Sequence, residues 1–375
     1  MDNLIDSVHK RPHSLYILPR VNLFVYNNRQ VRKDHLVLVA VLSTLIFSSM
    51  TIVNGFTNVV YGQSNTTQTN SSDANSTNNV TGLVNTQDIP LEKVHVGDID
   101  MAYKMFGNGD PILLIQALGA SMDDWEPTIL RELSSNHTVI IFDNRGVGNT
   151  TTGTKQFSIQ QFANDTAGLL DGLKIQKANA LGYSMGSFIA QQFVLTHPEK
   201  VDRLVLIAST CGGNEGIPNS PEDLELGKKL FSSIVNNTSI EPQEIKTVIS
   251  NSFGPTWIKQ HPNFLETIPT NPKDFIPSSM TLDTWVQQNN IVLNWQSTNW
   301  SGVCSQLPNI SKPTLVMTGT EDVSVPAANS LIIAEKIPGA WLVQIKNAAH
   351  QITSQYPNEV GKILNTFLST TSPDN

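Results

Sequence analysis

Asn179-Ala180-Leu181-Gly182-Tyr183-Ser184-Met185-Gly186-Ser187 is the stretch on which the reading of this chain turns. An apolar run with β character climbs to a serine flanked by glycines two residues away on either side, and a helical pattern begins directly behind it. A serine on so sharp a strand-to-helix turn has strained backbone, and glycines are needed where neighbouring chain passes too close for side chains. Such a turn pushes the hydroxyl past the sheet edge and aims the first amides of the new helix at the same spot. Ser184 is therefore a candidate nucleophile, and the N–H of Met185 a candidate donor to an oxyanion. A serine hydroxyl attacks poorly unless a base removes its proton and an acid orients that base. The rest of the chain must supply both.

Outward from this turn, apolar runs alternate with helical patterns. An opening hairpin is expected over Lys93 to Phe106, around Gly97-Asp98. Strands are expected at 111–115, 138–142, 203–208, 314–319 and 340–345, with the run before Ser184 between them. Helices are expected near 125–133, 159–173, 187–196, 327–337 and at the C-terminal end. Continuous apolar strands separated by helices predict a mainly parallel sheet covered on both faces. Asp322 follows one strand end in a Gly319-x-x-Asp loop, and His350 follows the last strand on Lys346-Asn347-Ala348-Ala349. Glu321 beside Asp322 is the reserve acid. The other seven histidines sit before the body, in the hairpin, at helix ends or between helices, and none ends a core strand.

The G-x-S-x-G turn, followed by an acid and then a histidine at strand ends, resembles the α/β-hydrolase superfamily. The resemblance implies an eight-stranded, mainly parallel sheet, with a Ser184–Asp322–His350 triad at its edge. It also implies that the segment 211–311, where the alternation breaks into proline-separated helical patterns (222–235, 242–253, 282–295), is an inserted helical cap. Core residues are then 89–210 and 312–370. Four of the six tryptophans, Trp257, Trp285, Trp295 and Trp300, fall in that cap and suggest an apolar pocket there. The second oxyanion donor implied by the family is the Leu118 amide, in the loop after the third strand. This chain shows Gln116-Ala117 where the family usually opens that loop with His-Gly, which puts the loop's shape in question. Arg145-Gly146-Val147-Gly148 matches a recurrent family segment, and its arginine is expected to be structural.

A serine nucleophile excludes the relatives that attack epoxides or carbon–halogen bonds with aspartate. Acyl transfer remains, so the chain is expected to hydrolyse an ester, lactone or related small acyl compound without cofactor or metal. A fold hosts many chemistries, and two alternatives stand beside this one. They are a cofactor-free peroxidase-like member of the fold and a hydrolase-like surface domain that only binds.

The remaining features concern location. Net charge is −8 over 375 residues, while residues 1–35 carry six basic against three acidic side chains. An acidic body argues against nucleic acid as a partner. The run LVLVAVLSTLIFSSMTIV at 36–53 has no charge and approaches the ~20 apolar residues that span a bilayer. Basic residues precede it, so the expectation is a single-pass anchor with residues 1–35 cytoplasmic and the catalytic body outside. A cleaved signal sequence and secretion is the alternative. Residues 54–88, rich in Asn, Ser and Thr, are expected to be a flexible stalk with sequons at Asn65, Asn70, Asn75 and Asn79. Two cysteines, Cys211 and Cys304, leave one bridge or none open.

Overall fold

The computed structural model describes residues 83–269 and 271–370. The basic segment, the expected anchor at 36–53 and most of the expected stalk lie outside the described residues. Among the described residues no helix is long and apolar enough to cross a membrane. The packed body begins earlier than the expected boundary at Ile89. A short 3₁₀ turn at Thr86–Asp88 is capped by Asn85, whose side chain accepts from the Gln87 amide at 3.2 Å. Thr86 is buried, and its carbonyl accepts from Lys104 Nζ at 3.0 Å. The physical reason is Lys104 itself. Its ammonium is buried, and Asp123 at 2.6 Å leaves further donors to satisfy.

Eight strands form one sheet: β1 Glu92–Val96, β2 Ile99–Gly107, β3 Asp110–Ile115, β4 His137–Phe142, β5 Ala178–Tyr183, β6 Val201–Ile207, β7 Thr314–Gly319 and β8 Trp341–Ile345. Their order is β1-β2-β4-β3-β5-β6-β7-β8. β2 pairs antiparallel with β1 and β4, and all other pairings are parallel. The expected hairpin, mainly parallel sheet and eight strands are thus all present. Helices of the core are α1 Pro127–Ser134, α2 Ile159–Gly172 and α3 Met185–Thr196. The cap between β6 and β7 holds α4 Pro221–Asn236, α5 Pro242–Phe253, α6 Pro255–Gln260 and α7 Leu282–Gln296. α8 Ala328–Lys336, α9 Ile352–Gln355 and α10 Pro357–Leu368 complete the chain. The short α6 is not apparent from the sequence pattern, since six residues give no periodicity to read.

Alternation along the central strands builds two cores. Leu113 and Ile115 face a layer containing Phe162, Phe188, Phe193 and Ile333, while Ile112 and Leu114 face Ile129, Leu133, Leu364 and Phe367. Strands buried on both faces are near-continuously apolar, which is why residues 112–115 of β3 and 315–317 of β7 read as unbroken runs. The cap is continuous with the first of these cores. Trp295 stacks on Phe188 of α3 with centroids 5.6 Å apart, and Trp285 stacks on Phe231 of α4 at 5.3 Å. Those two tryptophans are packing residues of the cap. Trp295 and Trp300 also line an open cleft of about 500 Å³ with Gln160, Gln192 and Asn294, and none of Ser184, Asp322 and His350 lines it.

Cys211 and Cys304 form a disulfide with Cα atoms 5.0 Å apart, closing the stem of the cap.

Candidate active site

Ser184 sits where β5 hands over to α3, at φ 51° and ψ −120°. A non-glycine residue there stores roughly 1–3 kcal/mol of backbone strain, so neighbouring contacts must hold it. The flanking glycines show how tight the turn is. A Cβ on Gly182 would lie 2.2 Å from the Gly186 carbonyl oxygen, and one on Gly186 would lie 2.0 Å from that of Ile115. Beneath the turn, the Ser184 amide donates to the Ile207 carbonyl at 2.9 Å, and the Ser184 carbonyl accepts from Ser187 Oγ at 2.6 Å. Ser187 Oγ also meets Ser209 Oγ at 2.6 Å, and Gln191 Nε2 donates to Ser209 Oγ at 2.9 Å and to the Thr210 carbonyl at 3.0 Å. These buried polar residues, on α3 and the loop after β6, belong to no sequence motif, and nothing in the local pattern singles them out.

His350 and Asp322 converge on the serine from their own strand ends. His350 Nε2 lies 3.1 Å from Ser184 Oγ, and its Nδ1 lies 3.0 Å from Asp322 Oδ2. A carboxylate accepts, so Nδ1 donates to Asp322 and Nε2 is left to accept the serine hydroxyl. Asp322 is fixed in turn by the Val325 amide, which donates to Oδ1 at 2.9 Å. All three residues are buried, with Ser184 only 2% exposed. Glu321, the reserve acid, points elsewhere: it accepts from the Thr256 amide at 3.0 Å and from the Thr256 hydroxyl, both at the start of α6. The cap thus claims Glu321 and leaves the histidine to Asp322. The histidine loop is braced by the cap as well. Gln351 N donates to the Ser252 carbonyl at 3.0 Å, and Gln355 Nε2 donates to that of Phe253 at 2.6 Å. Behind the imidazole, Tyr183 OH donates to the His350 carbonyl at 2.8 Å, and burial pushes that phenol far above its ordinary pKa.

The loop after β3 takes its form from two glutamines. Gln116 Oε1 accepts from the amide of Ala117 at 2.9 Å, and Gln288 Oε1, from α7 of the cap, accepts from that of Gly119 at 3.0 Å. The Ala120 amide donates to the Ala117 carbonyl. Leu118, between them, has an amide with no acceptor among the described residues, and so does Met185 at the first position of α3. The Gln116 side chain therefore does not take up the Leu118 amide. Gly186 packs on the backbone of Ile115 and Gln116, so this loop abuts the start of α3.

The neighbouring loop after β4 is structural. Arg145 is buried and bidentate to Asp165, through Nε at 2.9 Å and Nη2 at 2.8 Å, and it also bonds Asp98. Burial opposes its charge, but the bonds to Asp165 and Asp98 outweigh that and hold its pKa above the ordinary value. Asp143 accepts from the amides of Met122 and Asn149 at 2.8 and 2.9 Å, and burial raises its carboxyl to about 6. No group of three or more His, Cys, Asp or Glu side chains suited to hold a metal occurs among the described residues.

Residues 110–353 match the family described as alpha/beta hydrolase fold. A protein of Azorhizobium caulinodans, provisionally named carbamate hydrolase RutD, is 25% identical over 270 residues, which is 72% of this chain and 95% of its own. The poly(3-hydroxyalkanoate) depolymerase of Ectopseudomonas oleovorans is 28% identical over 264 residues, 69% of this chain and 84% of its own. Among solved structures, the enol-lactonase of Burkholderia xenovorans LB400 superposes with a TM-score of 0.59 at 22% identity. That superposition covers 74% of this chain and 100% of the other.

Proposed function

The chain belongs to the α/β-hydrolase family, and from that premise we propose that it is a serine hydrolase cleaving carboxylic esters, lactones or related acyl bonds. The observation that carries the reading is the buried relay from Asp322 through His350 to Ser184, with links of 3.0 and 3.1 Å. In this scheme His350 Nε2 takes the Ser184 proton as Oγ attacks the carbonyl carbon. The developing oxyanion accepts from the amides of Leu118 and Met185, which have no acceptor among the described residues. The imidazolium, steadied by Asp322, returns the proton to the departing alkoxide and leaves an acyl-enzyme on Ser184. Water deprotonated by His350 then attacks the acyl carbon, and Ser184 regains its proton as the acid departs. The names of the two relatives, a carbamate hydrolase and a polyester depolymerase, fit attack on an acyl carbon.

A fluorophosphonate probe tests the scheme, because it labels a serine only where a base and an oxyanion site are in place. The wild-type body is expected to label, and Ser184→Ala and His350→Ala are expected to lose labelling by at least about a hundredfold. A folded wild type that does not label removes the proposal.

We further propose that the body lies outside the cytoplasm, tethered by residues 36–53. The apolar run with its basic flank supports this. So does the Cys211–Cys304 bridge, since disulfides persist mainly in oxidising compartments. Full-length protein is expected to stay with membranes through a carbonate wash; recovery of a soluble form beginning near Gln63 would sink the tether.

A further inference from the structure

Both glutamines that shape the loop beside Ser184 are used at one end only. An amide N–H can only donate, so the bond from Gly119 N to Gln288 at 3.0 Å identifies the accepting atom as Oε1 and leaves Nε2 as an NH₂ group. That Nε2 is buried and has no acceptor among the described residues, and the Gln288 side chain is 0% exposed. Gln116 repeats the arrangement: Ala117 N fixes its Oε1 at 2.9 Å, and its buried Nε2 has no acceptor among the described residues. Buried amide donors left unpaired are costly, and native proteins tolerate few of them. Here two belong to the glutamines whose Oε1 atoms hold the amides on either side of Leu118, the proposed oxyanion donor. One comes from the core and the other from the cap helix α7, so two separate parts of the fold hold the loop that carries the Leu118 amide.

Both unused groups are neutral donors. Their complement is an oxygen carrying lone pairs and needing no proton of its own, and burial favours a neutral one over a charged one. Building on the serine-hydrolase reading, we infer that the natural substrate carries a second acceptor oxygen (ether, ester or ketone) a few bonds from the scissile carbonyl. Gln288 Nε2, assisted by Gln116 Nε2, donates to it. A simple alkyl ester fills the same space but leaves the donors unpaired, and a site built to hydrogen-bond a group discriminates against the analogue lacking it. Gln288 thereby couples two tasks. Its Oε1 sets the loop that presents Leu118, and its Nε2 reads the substrate.

The test uses two isosteric ester pairs that differ by one oxygen in place of a methylene. On the acyl side the pair is ethyl β-methoxypropanoate against ethyl pentanoate, and on the alcohol side methoxyethyl butanoate against butyl butanoate. The readout is the ratio of kcat/KM within each pair, which a uniform loss of activity does not move. Wild-type protein is expected to favour the oxygenated member of at least one pair by about tenfold. Gln288→Glu keeps an acceptor for Gly119 N but replaces the donor by a carboxylate oxygen, and should bring that ratio to about one or below. Gln288→Met removes the donor without adding charge and serves where the glutamate variant does not fold.

A wild-type ratio near one in both pairs overturns the inference even without variants. So does a preference that survives in Gln288→Met and in Gln116→Met. A protein that labels with fluorophosphonate but treats both members of each pair alike sinks this inference alone. A folded protein that neither labels nor turns over any ester takes down the hydrolase reading, and this inference with it.

Discussion

Glu126, just ahead of α1, is 8% exposed, and burial pushes its carboxyl from the ordinary 4.5 up to about 7. A folded-state value above the unfolded one means that the native protein binds this proton more tightly. Its contribution to stability is complete below pH 4.5 and is lost as pH rises through about 7. Glu126→Gln removes the titration while keeping the shape. The variant is therefore expected to match wild type near pH 4 and to exceed it by roughly 1–3 kcal/mol at pH 8. Thermal unfolding at the two pH values checks this, and an equal difference at both would show that the carboxyl does not titrate as described. Asp143 is also raised by burial, but it cannot be tested so cleanly. It anchors Met122 and Asn149, and a Cβ on Gly148 would sit 2.1 Å from its Oδ2, so replacing it would disturb the loop itself. Asp322 and Glu321 show how far single residues could be read from sequence. The sequence preferred Asp322 and held Glu321 in reserve; the bond of His350 to Asp322, and that of Thr256, 65 positions away, to Glu321, separate them in the fold.

At the scale of elements, the turn between β5 and α3 depends on space more than on side-chain chemistry. The obstacle to a Cβ at Gly186 is backbone, the Ile115 carbonyl at 2.0 Å, and backbone in a central strand cannot yield as a flexible side chain would. Gly186→Ala should therefore cost about 1–3 kcal/mol through overpacking. It should also lower fluorophosphonate labelling by at least about tenfold, because the strain displaces Ser184 relative to His350 by ångström-scale shifts. A variant with wild-type labelling and an unchanged unfolding midpoint would show that the turn has slack. This turn, the mainly parallel sheet and the three residues that meet at Ser184 were legible because each has a local signature: glycine spacing, apolar runs and loop residues just past strand ends. What stayed hidden has none. Ser187, Gln191 and Ser209 form their cluster only once α3 packs beside the β6 loop. Gln288 reaches Gly119 across 169 positions of sequence. The early start of the packed body was missed for a related reason. Asn85 and Thr86 look like the polar stalk before them, and only the buried ammonium of Lys104 recruits them.

For the molecule as a whole, the decisive junction is the stem of the cap. The chain leaves the core after β6 and returns before β7, and there the Val303 amide donates to the Cys211 carbonyl at 2.9 Å. Gly213 and Gly302 touch at the same place: a Cβ on Gly213 would lie 2.2 Å from the Gly302 nitrogen. The disulfide locks this junction across 93 positions, and both cysteines are fully buried. Cross-linking so long a loop restricts the unfolded chain far more than the native one, by up to about 4–5 kcal/mol in the loop-entropy treatment and typically 2–4 in practice. The Cys211→Ala/Cys304→Ala protein is therefore expected to unfold at lower urea, with a stability loss of about 2–4 kcal/mol. The proposed site should respond less than the fold does. Ser184, Asp322 and His350 all come from core strand ends, so below the unfolding transition the variant should still label with fluorophosphonate. If labelling vanishes while the unfolding midpoint is unchanged, the bridge acts on the site through the cap's contacts with Glu321, the Gly119 loop and the His350 loop. An unchanged midpoint with labelling intact would mean that the backbone contacts at the stem suffice and the cross-link adds nothing to either.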